Sequence, residues 1–324
     1  MRFIDARLVR ELLPVADCVE LMAQAMRNAS AGRIAMPTRM VMPLADHSGQ
    51  VFVMPGSALE PRVYGAKLLN VHPTNPQQGR PLHQGFVALF DHDTGVPLAI
   101  VEGSELTLLR TAAASALATR TLARAAAGTH GIFGTGRQAG DHVRAIAGVR
   151  AIRRVVIWGR TGTRASALAA ELSDSTGSEV IATSDPREAA ACDVVTTVTA
   201  AGEPVLQGAW LIPGTHLNLV GAHSPVTREV DDDAARRSTI YVDRLASAFS
   251  EAGDILIPLG NGTITRDAIV GEIGQVLQGT APGRRDVEQI TLYKSLGTVA
   301  QDILAAACVY RRAIERGAGS EVSL

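Results

Sequence analysis

The segment Thr129–His142, with the sequence THGIFGTGRQAGDH, decides the fold. A short apolar run, Gly131–Phe133, ends at a glycine turn, and a helix-compatible segment follows. Gly134 permits a tight turn, Gly136 lets backbone N–H groups approach a pyrophosphate, and Ala139 supplies the small residue needed where the helix packs on the strand. The positive end of that helix favours a phosphate. The segment predicts a dinucleotide-binding turn, with a purely structural glycine turn as the alternative.

A second buried-strand pattern, Arg154–Trp158, begins about twenty residues downstream, where such a fold reaches the ribose of its coenzyme. A protein specific for NAD carries an acidic residue just after this strand, but positions 159–164 read GRTGTR. Arg160, Thr161 and Arg164 suit a 2′-phosphate, because a guanidinium group matches phosphate oxygens and a carboxylate repels them. The segment that starts at Gly159 therefore favours NADPH over NADH, and a solvated arginine pair is the alternative.

The rest of the chain shows two patterns. From residue 129 strands alternate with helices, which indicates a doubly wound parallel sheet, whereas short N-terminal strands separated by Pro, Gly and Asn turns indicate an antiparallel sheet. We predict an α/β protein with a Rossmann domain over 121–297 and a second α+β domain over 1–120 with 298–324. Helices are expected over 14–31, over Ser104–Ala127 with Ser104 as its cap, and within Gln289–Arg312. The predicted strands are 39–44, 50–54, 64–71, 85–91, 130–133, 154–158, 179–182, 193–198, 216–220 and 239–243.

The composition excludes several classes of protein. The 324 residues are 46% hydrophobic, which suffices for two domains, and the net charge of -1 gives no basic surface for nucleic acid or an anionic membrane. Cys18, Cys192 and Cys308 are too few and scattered for a disulfide framework, and no Cys/His spacing suggests a metal. The N-terminal MRFIDARLVRELL lacks the apolar core of a signal peptide, and no run approaches the ~18 apolar residues of a membrane span. We expect a soluble cytoplasmic protein with a small-molecule substrate.

Three cations lie on apolar segments of the N-terminal part. Lys67 in VYGAKLLNV shares a strand face with apolar residues, which fits either an edge-strand gatekeeper or a functional ammonium group with a lowered pKa. Arg110 in LTLLRTAAA has no acidic partner on its own helix face, and Arg39 in PTRMVMP is similarly placed; a snorkelling arginine is the alternative for Arg110. The three together suggest an anionic ligand, most simply a carboxylate clamped by the arginines.

The histidines differ in their positions. His72 and His83 lie in loops and fit surface or turn residues. His223, in LNLVGAHSP, directly follows a predicted parallel strand at its carboxyl end, where the ligands of such sheets bind. It is a candidate for proton transfer, with a structural role as the alternative.

Taken together, these residues resemble the ornithine cyclodeaminase/mu-crystallin family over nearly the whole chain. The resemblance implies a Rossmann domain, a second domain that forms a dimer interface, and small amino or imino acids handled with a nicotinamide coenzyme. The matching pieces are Arg39, Lys67, GRPLHQ at 79–84, RTAAASALAT at 110–119, GTGRQA at 134–139, VTTVTA at 195–200, HLNLVGA at 216–222 and YKSLG at 293–297.

The resemblance also implies roles for individual residues. Arg39 and Arg110 would hold the substrate carboxylate, and Lys67 would bind the same group or assist at the imine nitrogen. Arg137 and Gln138 would contact the pyrophosphate, Thr199 the adenosine half, and Leu219, Val220 and Ser295 the nicotinamide. The coenzyme residues predicted in all are Gly134, Thr135, Gly136, Arg137, Gln138, Ala139, Gly159, Arg160, Thr161, Arg164, Val198, Thr199, Leu219, Val220 and Ser295.

One departure from the family pattern bears on the reaction. Ornithine cyclodeaminases and similar alanine dehydrogenases have an aspartate for proton transfer where this chain has His223, and the segment GAHSPVTREVDD is closer to mu-crystallin and ketimine reductases. We therefore expect an NAD(P)H-dependent reductase of a small cyclic imino acid, such as Δ1-pyrroline-2-carboxylate or Δ1-piperideine-2-carboxylate. The alternatives are an ornithine cyclodeaminase, an alanine-dehydrogenase-like reductase of linear imino acids, and a crystallin-like protein that binds NADPH without turnover.

Overall fold

The structure is a computed structural model that describes residues 1–323. The chain divides into two units: unit 1 contains Met1–Arg110 and the segment from Gly297 onward, and unit 2 is Thr111–Leu296. One division point falls inside the helix α3 (Gly103–Leu122). The sequence placed this boundary ten residues later, after residue 120.

Unit 1 contains the N-terminal sheet, which has eight strands in the order β16-β1-β7-β6-β5-β4-β2, with β3 paired to β4. Its neighbours are antiparallel except for β1 and β7, which are parallel. The strand β5 pairs with the long antiparallel strands β4 and β6 on its two sides, so it lies in the interior of the sheet. The strands are β1 (Arg2–Ile4), β2 (Ile34–Ala35), β3 (Met40–Pro43), β4 (Gln50–Leu59), β5 (Arg62–Val71), β6 (His83–Asp91), β7 (Pro97–Glu102) and β16 (Ser320–Glu321).

Helices cover one face of this sheet. The helix α1 (Ala6–Leu12) begins where the Asp5 carboxylate accepts a hydrogen bond from the Leu8 N–H, and α2 (Val15–Ser30) follows directly. The C-terminal helix α11 (Val299–Glu315) packs against β4, β5 and α2. The first turns of α11 are buried, so its polar residues Gln301 and Asp302 lie in the interior of unit 1.

Unit 2 contains a sheet of eight strands, all parallel, in the order β10-β9-β8-β11-β12-β15-β13-β14. The order reverses between β8 and β11, which is the switch point where doubly wound folds bind their ligands. This confirms the predicted Rossmann sheet. The strands are β8 (Thr129–Phe133), β9 (Arg154–Trp158), β10 (Glu179–Thr183), β11 (Val194–Thr197), β12 (His216–Leu219), β13 (Ser238–Val242), β14 (Ile269–Glu272) and β15 (Ile290–Lys294).

Apolar side chains on the parallel strands form one buried core. Phe133, Val195, Leu217 and Leu292 come from four adjacent strands and are buried in one hydrophobic core, as expected for parallel strands that are covered on both faces. The helices of unit 2 after α3 are α4 (Arg137–Ala147), α5 (Gly162–Thr176), α6 (Pro186–Ala190), α7 (Asp232–Arg237), α8 (Leu245–Glu251), α9 (Gly253–Gly260) and α10 (Ile273–Gln278).

Two local features differ from the prediction. The helix expected within Gln289–Arg312 is present as α11, but the strand β15 at the start of this region was not predicted; it lies between β12 and β13 in the sheet. Ser104 does not cap α3: the helix begins at Gly103, and the carboxylate of Glu102 accepts the N–H groups of Ser104 and Glu105. Within residues 1–323, no helix combines the length and the apolar character needed to cross a membrane.

Candidate functional site

Lys67 occupies the middle of β5, on the face of the sheet that α11 covers. Its side chain is only 1% exposed. The ammonium Nζ donates to Thr107 Oγ1 at 2.6 Å and to Asp302 Oδ1 at 3.1 Å. The gatekeeper alternative is therefore wrong, because β5 is an interior strand and the lysine points away from solvent.

Arg110 shares the same carboxylate. Its Nε donates to Asp302 Oδ1 at 3.0 Å and its Nη1 to Gln301 Oε1 at 2.9 Å. Asp302 is fully buried and Arg110 is 5% exposed, so this arginine does not snorkel to solvent. The missing acidic partner comes from α11, far away in sequence, and it fixes the direction of the guanidinium group.

Arg39 joins this group through the backbone of Gly297. Its Nη2 donates to the Gly297 carbonyl at 3.0 Å. Gly297 has φ +78°, which favours glycine, and a Cβ atom there would lie 2.5 Å from Arg110 Nη1, so a side chain at this position would displace the guanidinium group. We call Lys67, Arg110, Arg39 and Asp302 the cationic cluster.

Burial and the charges of the cationic cluster together set the pKa of Lys67. Burial lowers the pKa of Lys67 to about 8, Asp302 opposes this, and Arg110 and Arg39 add to the lowering. Burial alone would raise the pKa of Asp302, but the positive charges of Arg110 and Lys67 outweigh it and hold that pKa below its ordinary value. Three cations against one carboxylate leave the cluster with excess positive charge. It can bind an anion and exchange a proton near neutral pH.

The predicted dinucleotide turn lies at the carboxyl end of β8, in unit 2. Gly134 has φ +127°, and a Cβ atom on it would lie 2.8 Å from the Val198 carbonyl oxygen, so the turn and the segment after β11 approach closely. Gly136 is the N-cap residue of α4, and a Cβ atom there would meet no described atom within 4 Å. Space for a phosphate therefore lies at the first turn of α4, beside Thr135 and Arg137. Ala139 is buried, as expected for the position that packs on the strand.

The segment after β9 lies at the same edge of the sheet. Gly159 contacts Thr135 closely enough that a Cβ atom would lie 2.6 Å from its methyl group. Thr161 is the N-cap of α5, and the side chains of Arg160 and Arg164 are exposed to solvent at the start of that helix.

Val198, Thr199, Leu219 and Val220 follow or end β11 and β12, again at the carboxyl edge. Ser295 directly follows β15 and is buried, and its Oγ has no hydrogen-bond partner within residues 1–323. The buried Gln138 Oε1, at the start of α4, also lacks one in that range. Unpaired buried polar atoms at this edge fit a coenzyme that carries amide and phosphate groups.

Comparison with known proteins identifies the family of this chain. The model of the ornithine cyclodeaminase/mu-crystallin family matches residues 2–317. The chain belongs to this family. A Δ1-pyrroline-2-carboxylate reductase of Bacillus cereus is 36% identical over 324 residues, 99% of each chain, and the ketimine reductase mu-crystallin of Mus musculus is 35% identical over 279 residues, 86% of this chain and 85% of that one. A solved structure of Thermococcus litoralis Δ1-pyrroline-2-carboxylate reductase with NADH and L-proline has 32% identity and a TM-score of 0.97, covering 99% of this chain and 100% of that one.

These similarities confirm the family and the fold class predicted from the sequence. The three similar proteins named above carry the names of imine reductases, the class of enzyme that the sequence favoured. The roles of the individual site residues remain predictions.

His223, the residue at which the chain departs from the cyclodeaminase pattern, is exposed in the loop after β12. Its Nδ1 lies 3.1 Å from the Gly221 carbonyl oxygen of the same loop. His72 lies in a loop and is half-buried, whereas His83, which was expected in a loop, is the first residue of β6, where it pairs with Val71 and is exposed.

Sequence reasoning gave no role to several buried charged residues, four of which are used in the arguments below. Asp302 lies within the helix segment VAQDILAAA, which is apolar apart from Gln301 and Asp302, and this pattern was a usable signal for a buried partner. The other three form a group in unit 2 near the ends of β11, β12 and β15; they are Glu229, Asp254 and Lys294.

Proposed function

We propose that this family member is an NAD(P)H-dependent reductase of small cyclic imino acids that forms proline from Δ1-pyrroline-2-carboxylate. The observation that carries the proposal is the cationic cluster, in which Lys67 and Arg110 are buried on one carboxylate and Arg39 lies beside them. An imino acid of this class offers a carboxylate for the arginines and an imine nitrogen for a proton donor. The names of the similar proteins support the same substrate class.

The arginines bind and orient the carboxylate. Arg110 has its Nε and Nη1 fixed by Asp302 and Gln301, so its direction is set before the substrate arrives. A preoriented guanidinium group binds a carboxylate at a small entropic cost and limits the positions of the neighbouring imine carbon.

Lys67 holds the proton that imine reduction consumes. The nicotinamide coenzyme, when bound, supplies the hydride. With a pKa of about 8, most Lys67 side chains carry a proton at pH 7, and their acidity is close enough to neutral for transfer to the imine nitrogen. A protonated imine is the better acceptor of a hydride, so proton donation by Lys67 Nζ assists the reduction.

We further propose that unit 2 binds the coenzyme and that NADPH is preferred over NADH. The support is the exposed pair Arg160 and Arg164 after β9, in a segment without a carboxylate, together with the open space at Gly136. Arginine suits a 2′-phosphate at this place.

We also propose that the protein is a homodimer formed through unit 1. An apolar row crosses the outer face of its sheet: Met40 pairs with Val53, Val53 with Leu68, and Leu68 with Phe86. Met40 is 61%, Leu68 37% and Phe86 38% exposed. A contiguous apolar row of this kind marks a protein interface. Light scattering of the wild type and of Leu68→Glu tests it, with a monomer expected for the variant.

The activity test compares NADPH and NADH oxidation with five- and six-membered cyclic imino acids, with pyruvate plus ammonia or methylamine, and with ornithine. We expect the fastest oxidation with Δ1-pyrroline-2-carboxylate and NADPH, giving proline in equal amount. Proline and ammonia formed from ornithine without net NADH accumulation would indicate a cyclodeaminase instead. Ligand-induced stabilisation without oxidation of either coenzyme would indicate a binding protein and refute the proposal.

A further inference from the structure

Glu229 is a fully buried glutamate that contacts the segments after β11 and after β12, at the carboxyl edge of the parallel sheet. Its Oε1 accepts the Thr199 N–H at 2.7 Å and the Thr199 hydroxyl at 2.8 Å. Its Oε2 accepts the Gly221 N–H at 2.6 Å and the Thr197 hydroxyl at 2.6 Å. One carboxyl group thus joins the end of β11 and the segment after it to the segment after β12.

The backbone N–H of Glu229 is hydrogen-bonded to Asp254, which forms a buried ion pair with Lys294. Asp254 Oδ1 accepts the N–H of Glu229 at 2.7 Å, and Asp254 Oδ2 accepts from Lys294 Nζ at 2.8 Å. Lys294 Nζ also donates to the Ala222 carbonyl at 2.6 Å, in the same loop as Gly221. The Glu229 carbonyl accepts from the N–H of Val205 at 2.8 Å, so the residue is fixed on both sides of its Cα.

We propose that Glu229 is a positioning residue for coenzyme binding: its carboxyl group holds together the two loops that carry Val198, Thr199 and Val220. The inference rests on the proposed function, in which these loops contact the coenzyme. The residue acts through the loops and not by touching the ligand.

The two oxygens of the Glu229 carboxyl group accept the same kinds of hydrogen bond. Each accepts one backbone N–H, which cannot rotate away, and one hydroxyl, which can. Burial, followed by the nearby carboxylate of Asp254, raises the pKa of Glu229, and either hydroxyl can turn to accept from a protonated carboxyl. A glutamine has only one acceptor oxygen, so its NH₂ group would face a backbone N–H of Thr199 or Gly221. Glu229→Gln is therefore a disruptive change despite its equal size.

The test measures coenzyme dissociation constants of the full-length protein by fluorescence titration with NADPH and NADH. A buried donor left without an acceptor changes an equilibrium constant by roughly 5- to 150-fold. We expect Glu229→Gln to raise the dissociation constant at least fivefold, while the KM for the imino acid at saturating coenzyme changes less than twofold. This split distinguishes loop positioning from a general loss of structure.

Asp193 provides a matched control at the opposite edge of the same sheet. Its Oδ2 accepts the N–H groups of Gly128 at 2.8 Å and Thr129 at 3.1 Å, and its Oδ1 pairs with Arg124. Asp193→Asn removes a comparable carboxylate from the amino ends of β8 and β11, away from the predicted coenzyme residues. We expect it to lower the melting temperature and to leave the coenzyme dissociation constants within twofold of wild type.

A milder pair of variants covers the case in which Glu229→Gln does not fold. Thr197→Val removes one hydroxyl from Oε2 and is expected to weaken coenzyme binding about two- to fivefold, and Thr197→Ser is expected to retain wild-type binding. Wild-type coenzyme affinity in Glu229→Gln, or in Thr197→Val if the first variant is unfolded, would overturn the inference. A wild-type protein that binds neither coenzyme would instead overturn the proposed function.

Discussion

The substitution Asp302→Asn tests whether one buried carboxylate controls the proton of Lys67. Asp302 Oδ1 accepts from Lys67 Nζ at 3.1 Å and from Arg110 Nε at 3.0 Å, and all three side chains are buried. Asparagine keeps the size and one acceptor oxygen but removes the negative charge. The two buried cations would then repel each other without the carboxylate they share, and Lys67 is the one able to give up its proton.

The size of the effect follows from the 3.1 Å separation of Lys67 and Asp302. At an effective dielectric constant of about 20, the attraction between the two charges is about 5 kcal/mol, or about 4 pKa units. The amide oxygen of asparagine retains part of this, so we expect the pKa of Lys67 to fall from about 8 by about 2 units or more. The protonated fraction at pH 7 then drops from about 90% to about 10% or less.

The assay is the pH profile of kcat/KM for imino acid reduction. We expect the rate to decline above pH 8 in the wild type and above about pH 6 in Asp302→Asn, with a roughly tenfold loss at pH 7. Asp254→Asn is the matched control, because it breaks the other buried lysine–aspartate pair, Lys294–Asp254 at 2.8 Å, and should leave the basic limb at the wild-type pH. A folded Asp302→Asn protein with an unshifted basic limb would refute this account of Lys67.

Three further predictions follow from the structure. Gly297→Ala should lower kcat/KM at least tenfold, because the new Cβ atom displaces Arg110. The control is Gly279→Ala, which has a similar φ of +75° and open space around it and should change only stability. Equal kcat/KM values for the two variants would contradict this prediction. Arg160→Glu should raise the KM for NADPH at least tenfold while NADH is retained, and an unchanged NADPH/NADH ratio would remove this residue from coenzyme selection. Burial lowers the pKa of three histidines to about 3 or 4, so only the unfolded chain takes up their protons below pH 6.5. The free energy of unfolding should be highest above pH 6.5 and should fall below it, by about 1 kcal/mol per histidine between pH 7 and 5.5. An unchanged urea midpoint over this range would contradict the prediction. These histidines are His130, His142 and His216.

The parts of the fold that depend on local pattern were predictable. The strand β9 has the predicted bounds, because its apolar run is continuous and ends at Gly159. The glycine turn after β8 was recognised because backbone conformation and close approach at Gly134 restrict the residue type. The start of α3 was misplaced, since the cap is a glutamate two residues before Ser104 and not the serine itself.

The partners of buried charges were not predictable in the same way. The acid that pairs with Lys67 lies 235 residues away, and the acid that pairs with Arg110 lies 192 residues away. Periodicity places such residues on a face but does not say which other element covers that face. The strand β15 was missed for a related reason: it is inserted between β12 and β13, and its residues precede a longer helical pattern that dominates the segment.

Stability does not account for the two buried lysine–aspartate pairs. Removing two charges from water costs about as much as their attraction returns, so apolar residues of the same volume would serve folding equally well. Their positions give the better explanation. The pair Lys67–Asp302 lies beside two arginines, Arg110 and Arg39, whose positive charges act on Lys67. The pair Lys294–Asp254 binds the backbone of Glu229, the residue that joins the loops after β11 and β12. Loss of Asp302 should therefore appear in the pH profile of the reaction, and loss of Asp254 in the affinity for the coenzyme.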